Sequence, residues 1–306
     1  MSAGKILVIR GGAIGDFILT LPALKALRTA FSEARLEVLG YPHIASLALL
    51  DGTVDQVHSI ESRTLAGFFA SGASLDDQLA TFFLGFEVII SYLYDPDQVF
   101  RLNVMRCTEA QFIQGPHRPD EATTEHAAEC FLKPLERLAL FEQSTIPTIK
   151  LEPQAKPTSP NKTIAIHIGS GSESKNWPLD KWIELIQTLS STPQNDLHIY
   201  AGEAEREKLT KLQQQLPERP LLKYCYGLNL NEVATSLKQS HVFVGHDSGI
   251  THLAAALGLP LVVLWADTNY EIWHPKSDRS SVPRHSDGIQ QIAPTTVLTA
   301  IFDILA

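Results

Sequence analysis

The stretch Ile9–Leu24, "IRGGAIGDFILTLPAL", closes one apolar run and opens a helix-like pattern, and the turn between them holds three glycines and an acid. A strand-length apolar run, a glycine-rich turn and a helical segment make the first half of a βα unit, the repeating element of parallel sheets covered by helices. In such sheets ligands bind beyond the carboxyl ends of the strands, where loops lead into helix N-termini. Asp16 therefore stands where side chains meet ligands.

The same alternation runs along the chain. "KILVIR" (5–10) reads as the first strand, and Leu21–Ala30 belongs to a helix with Pro22 in its first turns. "RLEVLGY" (35–41), "VDQVHSI" (54–60), "FEVIISY" (86–92) and "AQFIQG" (110–115) read as four further strands. "KLEPQAKPTSPNK" (150–162) carries three prolines and no apolar periodicity, which is linker chemistry. After it the opening pattern restarts: the strand "TIAIHIG" (163–169), a Gly/Ser loop, the helix "LDKWIELIQTLSS" (179–191) and the strand "LHIYAG" (197–202). Another unit follows, with "HVFVG" (241–245) as strand, "HDSG" (246–249) as turn, "ITHLAAALG" (250–258) as helix and "PLVVLW" (260–265) as strand. The expectation is an α/β fold of two similar lobes in tandem facing a central cleft, the first over residues 1–155 and the second over 160–293. The amphipathic end, 294–306, is expected to form a helix that packs back on the first lobe.

Composition narrows the function. The 306 residues carry a net charge of −9, with 12 basic against 18 acidic residues up to position 150 and 13 against 16 beyond it, so neither half has the basic surface of a nucleic-acid binder. No segment approaches the roughly 18–20 apolar residues of a membrane span, and "MSAGK" leads into a strand without the features of a secretory signal. Cys107, Cys130 and Cys225 are odd in number and far apart, which argues against a disulfide framework or a zinc knuckle. A reducing cytoplasm is the expected address, and a monomer the expected state.

The turn "RGGAIGD" nearly matches a dinucleotide fingerprint, with Gly12 and Gly15 at its last two glycine places. Arg10 replaces the first, and the second strand ends "VLGYPH" without the acid that would hold a ribose, so a nicotinamide-dependent oxidoreductase is the disfavoured alternative. Asp16 reads either as a helix N-cap or as a carboxylate that takes a proton from a bound hydroxyl, and the two roles are compatible. Gly12 and Gly15 let a substrate approach the backbone.

Three blocks, "GGAIGDFILTLPAL", "HIGSGSESKNWPLDKW" and "VGHDSGITHLAAALGLPLVVLW", resemble the bacterial heptosyltransferase family of lipopolysaccharide core synthesis, glycosyltransferase family 9, in order and spacing. The resemblance implies a fold of two Rossmann-like lobes, the GT-B arrangement, with acceptor on the first lobe and nucleotide-sugar on the second. It also implies a single inverting displacement that needs no metal or other cofactor. Asp16 matches the aspartate regarded as the family's general base. The usual donor is ADP-heptose; the acceptor is a saccharide, and a lipid-anchored one would bring the enzyme to the inner membrane face. There Leu65, Phe68 and Phe69 can either dip toward lipid or fill the core. A non-catalytic sugar-nucleotide binding protein is a further alternative, one that would have no use for Asp16.

On the donor side, Gly169, Ser170 and Gly171 can turn backbone N–H and hydroxyl donors toward phosphates. Lys175, beside "NWP", can reach a diphosphate and stabilise it as it leaves; the alternative is a solvated loop lysine. In "GHDSG", Asp247 or Ser248 suits an N-cap and Gly249 a tight helix start. By resemblance Asp247, Ser248, Gly249 and His252 match donor-contacting positions, although His252 also suits an ordinary core histidine. The loop "YAGEAERE" matches one whose acid holds the nucleoside, with Glu205 the better placed and Glu203 its rival. Leu228 corresponds to an apolar residue against adenine, or is simple core. "DPD" (95–97) has the form of a metal-binding DxD but reads more naturally as a turn. Neither HExxH nor a GxSxG elbow occurs.

Overall fold

β1 (Lys5–Arg10) is buried from Ile6 onward because both of its faces are covered, which is why its sequence is a continuous apolar run rather than an alternating one. The structure, a computed structural model, describes residues 4–152 and 160–306. The chain divides into two compact units, Met1–Ile149 and Lys150–Ala306. The linker reading at 150–162 therefore falls at this division, and 153–159 lie outside the described residues.

In the first unit β1 leads through the glycine turn into α1 (Ile14–Ala30), followed by β2 (Arg35–Gly40), α2 (Pro42–Leu50), β3 (Gln56–Ser59) and α3 (Asp77–Leu84). β4 (Val88–Ser91), α4 (Val99–Met105), β5 (Gln111–Gln114) and α5 (Ala127–Leu132) complete it. All strand pairs are parallel and the order is β3-β2-β1-β4-β5. The order reverses between β1 and β4, which makes the crevice beyond their carboxyl ends the binding position of this sheet.

α1 corrects one expectation. It starts at Ile14, immediately after the glycine turn, so Pro22 lies in its middle and not in its first turns. An interior proline costs a helix about 3 kcal/mol. Every residue from Phe17 to Leu24 is buried, and full burial of a large apolar side chain contributes about 1.5–3 kcal/mol, so packing outweighs the lost bond. Leu65 and Phe68 also belong to the core, whereas Phe69 is exposed and stacks on Phe100 with ring centres 4.8 Å apart.

The second unit runs β6 (Lys162–His167), α6 (Leu179–Ser190), β7 (Asn195–Ala201), α7 (Arg206–Gln215), β8 (Leu222–Tyr226), α8 (Leu230–Leu237) and β9 (Val242–His246). It continues with α9 (Gly249–Ala256), β10 (Leu261–Leu264), α10 (Tyr270–Trp273), β11 (Ser280–Ser281) and α11 (Pro294–Leu305). Its parallel sheet has the order β11-β10-β9-β6-β7-β8, which counted within the unit is the doubly wound 3-2-1-4-5-6. The switch falls between β6 and β9. α11 packs on α6, β9 and β10, with Val297, Ala300 and Ile301 in the core of this second unit. Its apolar stripe is buried against the sheet of its own unit. No helix among the described residues is long and apolar enough to cross a membrane.

Candidate functional site

The chemistry-bearing residues of the first unit gather beyond β1 and β4. Asp16 is the third residue of α1, and its Oδ2 accepts a hydrogen bond from the Ala13 backbone N–H at 2.9 Å. The N-cap is Ala13, so the N-cap reading of Asp16 is corrected. The acid reaches backward to close the helix start, as the third residue of a capping box does. Gly12 is required here: its φ is +98°, and a Cβ on it would lie 2.8 Å from Asp16 Oδ2. Gly15 sits in the first turn of α1.

Arg10, whose side chain is only 2% exposed, holds this acid from behind. Its Nη2 donates to the Asp16 backbone oxygen at 3.3 Å and lies 3.6 Å from Oδ1, while Nη1 donates to the His117 backbone oxygen at 2.9 Å. The guanidinium also lies over the Phe131 ring, 4.4 Å from its centre. Burial pulls the proton affinity of Arg10 below its ordinary value, and Asp16 opposes that pull. The Asp16 side chain keeps 23% exposure, enough for a hydroxyl to approach a carboxylate whose position is fixed at both oxygens.

In the second unit the loop after β6 and the turn after β9 meet across the switch point. Lys175 Nζ donates to Asp247 Oδ2 at 2.7 Å, with the acid nearly buried and the lysine one-third exposed. Ser248 is the N-cap of α9, where its Oγ accepts from Thr251 N. Asp247 is therefore free of the capping role and serves as the lysine's counter-charge. Gly249 is the first residue of α9, and His252 is buried on it. Gly171 has φ +71° with open space around it, and the Ser170 hydroxyl faces its own loop, toward Ser172 O at 2.8 Å and Asn176 Oδ1 at 2.9 Å.

Glu205 is buried while Glu203 is exposed. Glu205 Oε2 accepts from Gly202 N at 2.9 Å, and the side chain lies directly over Gly169, where a Cβ would come within 2.2 Å of it. The acid thus reaches the carboxyl end of β6, beside the loop that carries Lys175. Leu228 is 39% exposed in the loop before α8, so the simple-core alternative is not met. Asp95 resolves the "DPD" stretch as a turn, because its two oxygens accept from Phe100 N and Arg101 N at the start of α4. Among the described residues no group of three or more His, Cys, Asp and Glu side chains is placed to hold a metal ion.

Two residues of this neighbourhood escape sequence reasoning. Arg10 reads there only as a defect in a fingerprint; the available signal is a cation ending a strand that is otherwise wholly apolar. His246 reads as part of a turn, yet it is fully buried. Its Nε2 accepts from Trp177 N at 2.8 Å and its Nδ1 faces Gly169 O at 3.2 Å. A backbone N–H can only donate, so the ring carries its proton on Nδ1 and is neutral. Burial pushes its pKa down to about 3.

Two Rossmann-like units with a charged cluster at each switch point define the class of protein. Residues 126–293 match the model of glycosyltransferase family 9 (heptosyltransferase), and the chain belongs to that family. It is 31% identical over 120 residues to lipooligosaccharide heptosyltransferase 2 of Haemophilus influenzae, a stretch covering 38% of this chain and 34% of that one. The fold matches that of E. coli ADP-heptose lps heptosyltransferase II with a TM-score of 0.81 at 17% identity, covering 98% of both chains. It also matches E. coli heptosyltransferase WaaC with ADP-2-deoxy-2-fluoro heptose, with a TM-score of 0.71 at 18% identity, over 98% of this chain and 99% of that one. The protein is a glycosyltransferase related to the lipopolysaccharide heptosyltransferases.

Proposed function

We propose that this enzyme transfers heptose from ADP-heptose, with inversion, to a saccharide acceptor of the lipopolysaccharide core or a related glycan. Asp16 is the general base. It takes the proton of the acceptor hydroxyl as that oxygen bonds to the anomeric carbon, while the bond from that carbon to the diphosphate oxygen breaks. The electron pair leaves with the nucleoside diphosphate, whose growing charge Lys175 meets. No metal takes part in this reading. Ser170, Gly171, Ser248, Gly249 and His252 line the phosphate and sugar positions, Asp247 holds Lys175 and faces sugar hydroxyls, and Glu205 and Leu228 take the nucleoside. The enzyme works in the cytoplasm as a monomer, against the inner membrane face when its acceptor is lipid-anchored.

The observation that carries the reading is the Lys175–Asp247 pair at 2.7 Å, which puts a cation on the switch point of a doubly wound sheet. The choice of ADP and heptose draws on the ADP-sugar bound by the WaaC structure. Thermal shift against ADP-, UDP- and GDP-sugars tests it. A donor at 100 times its dissociation constant adds about 2.7 kcal/mol of stability, and stabilisation by UDP- or GDP-sugars alone would refute the ADP assignment.

A further inference from the structure

His246 ends β9, one of the two strands that flank the switch point, and its ring touches both ends of the loop that follows the other, β6. Gly169, at the loop's start, accepts from Nδ1 at 3.2 Å; Trp177, at its end, donates to Nε2 at 2.8 Å. The loop between them carries Gly171 with its positive φ and Lys175 on a short 3-10 turn. The residue after His246 is Asp247, to which Lys175 returns. Both the lysine and its counter-charge are therefore referenced to the same imidazole. The ring is itself immobilised: Trp182 stands edge-on to it at 5.4 Å, Trp177 packs on Trp182 at 5.0 Å, and Trp177 Nε1 donates to Ile292 O at 3.0 Å.

We infer that His246 is a positioning residue for the donor: as a neutral Nδ1–H tautomer it staples the ends of the 169–177 loop and so fixes where Lys175 meets a diphosphate. The inference rests on the donor reading above. Nothing in the ring's chemistry is spent on the substrate, since both nitrogens face backbone. Its effect is to remove the loop's freedom before the ligand arrives, which raises affinity by pre-organisation rather than by a new contact. An unstapled loop would have to be ordered at the moment of binding. A purely structural histidine would change stability and leave the contribution of Lys175 untouched.

Two measurements on the full chain test this. The first is the tautomer of His246 in ¹⁵N-histidine-labelled protein at pH 7, read from long-range ¹H–¹⁵N correlations. A neutral ring protonated on Nδ1 is expected; protonation on Nε2, or on both nitrogens, overturns the inference and does so whether or not any variant folds. The second is a cycle of ADP titrations on wild type, His246→Phe, Lys175→Ala and the double variant. His246→Phe should weaken ADP about tenfold in the wild-type background and have no further effect once Lys175 is gone, because coupled residues are non-additive. His246→Asn, whose amide offers one donor and one acceptor, should recover most of the loss. Wild-type affinity in His246→Phe, or an equal loss in both backgrounds, overturns the inference while the donor reading stands. Failure of the wild type to bind ADP, or indifference of ADP to Lys175→Ala, overturns the donor reading and this inference with it.

Discussion

Replacing Asp16 by asparagine separates the two things its carboxylate does. The amide oxygen of the new side chain can still accept from Ala13 N, so the helix start keeps its 2.9 Å contact. What disappears is the negative charge 3.6 Å from a guanidinium that is almost wholly buried. Removing one partner of a fully buried pair costs about 3–5 kcal/mol. Here Arg10 keeps its bonds to the backbone oxygens of His117 and Asp16, and the acid is partly solvated, so the loss should be nearer to about 1–3 kcal/mol. Urea unfolding reads this loss directly. Catalysis should suffer far more: general-base assistance is worth about 10²–10⁴-fold in rate, equivalent to roughly 3–5 kcal/mol of barrier. The assay is release of nucleoside diphosphate by folded Asp16→Asn protein at saturating donor and acceptor. Turnover above about a tenth of wild type, outside the general-base range, would refute the base assignment and leave Asp16 as a helix-closing residue paired with Arg10.

Further outcomes follow from the same geometry. Lys175→Ala should weaken ADP about 10–100-fold by titration calorimetry, corresponding to roughly 1.4–2.8 kcal/mol for a charge-assisted contact, and unchanged affinity would remove Lys175 from the site. Gly169→Ala places a Cβ 2.2 Å from Glu205, so that side chain must leave its present position; a loss of about 1–3 kcal/mol in stability with weakened ADP binding is expected, and a neutral result would show that Glu205 moves without consequence. Stability should also fall in acid. His246 has a folded pKa near 3 against an ordinary 6.5, so its contribution is complete above pH 6.5 and declines toward pH 3, where the unfolded chain binds the extra proton. His167, shifted in the same direction by burial, adds to the decline. His246→Asn should remove about one proton, or roughly 1.4 kcal/mol per pH unit, from that slope in urea melts between about pH 6 and 4.5. Identical slopes would contradict the buried neutral ring.

What could be read from sequence depended on whether the signal was local. β1, β6, β9 and β10 are central strands covered on both faces, and their unbroken apolar runs announce them. β8 and β11 are edge strands, "LKYCY" and "SS", with no run or clean alternation to find. The helix start at Ile14 lies among glycines that suit a turn, and Pro22, at home in a first helical turn, points to a boundary farther along than the true one. The residues proposed for the site stand in recognisable motifs, but their partnerships are not written there: Lys175 and Asp247 lie 72 residues apart, and Arg10 and His117 lie 107 apart. No periodicity encodes such pairings. The same holds for α11, whose amphipathic stripe shows that it packs but not on what.

The strand order sets the sequence in which these sites can come into being. In each unit the first strand to be made is a central one, with one neighbour close by in the chain and the other far off. Ile6 pairs with Leu36 on one side and with Val88, 82 residues on, on the other; Ile164 pairs with Leu197 and with Val242, 78 residues on. The near pairings close short loops and the far ones long, with the larger entropic cost. The switch point is by construction the seam between them. A half-formed sheet β1-β2-β3 or β6-β7-β8 can therefore exist before its switch-point crevice does, and a nascent or partly unfolded chain keeps strands and helices while lacking that crevice. Loss of ligand binding should precede loss of helical signal when either unit opens from the β4 or β9 side.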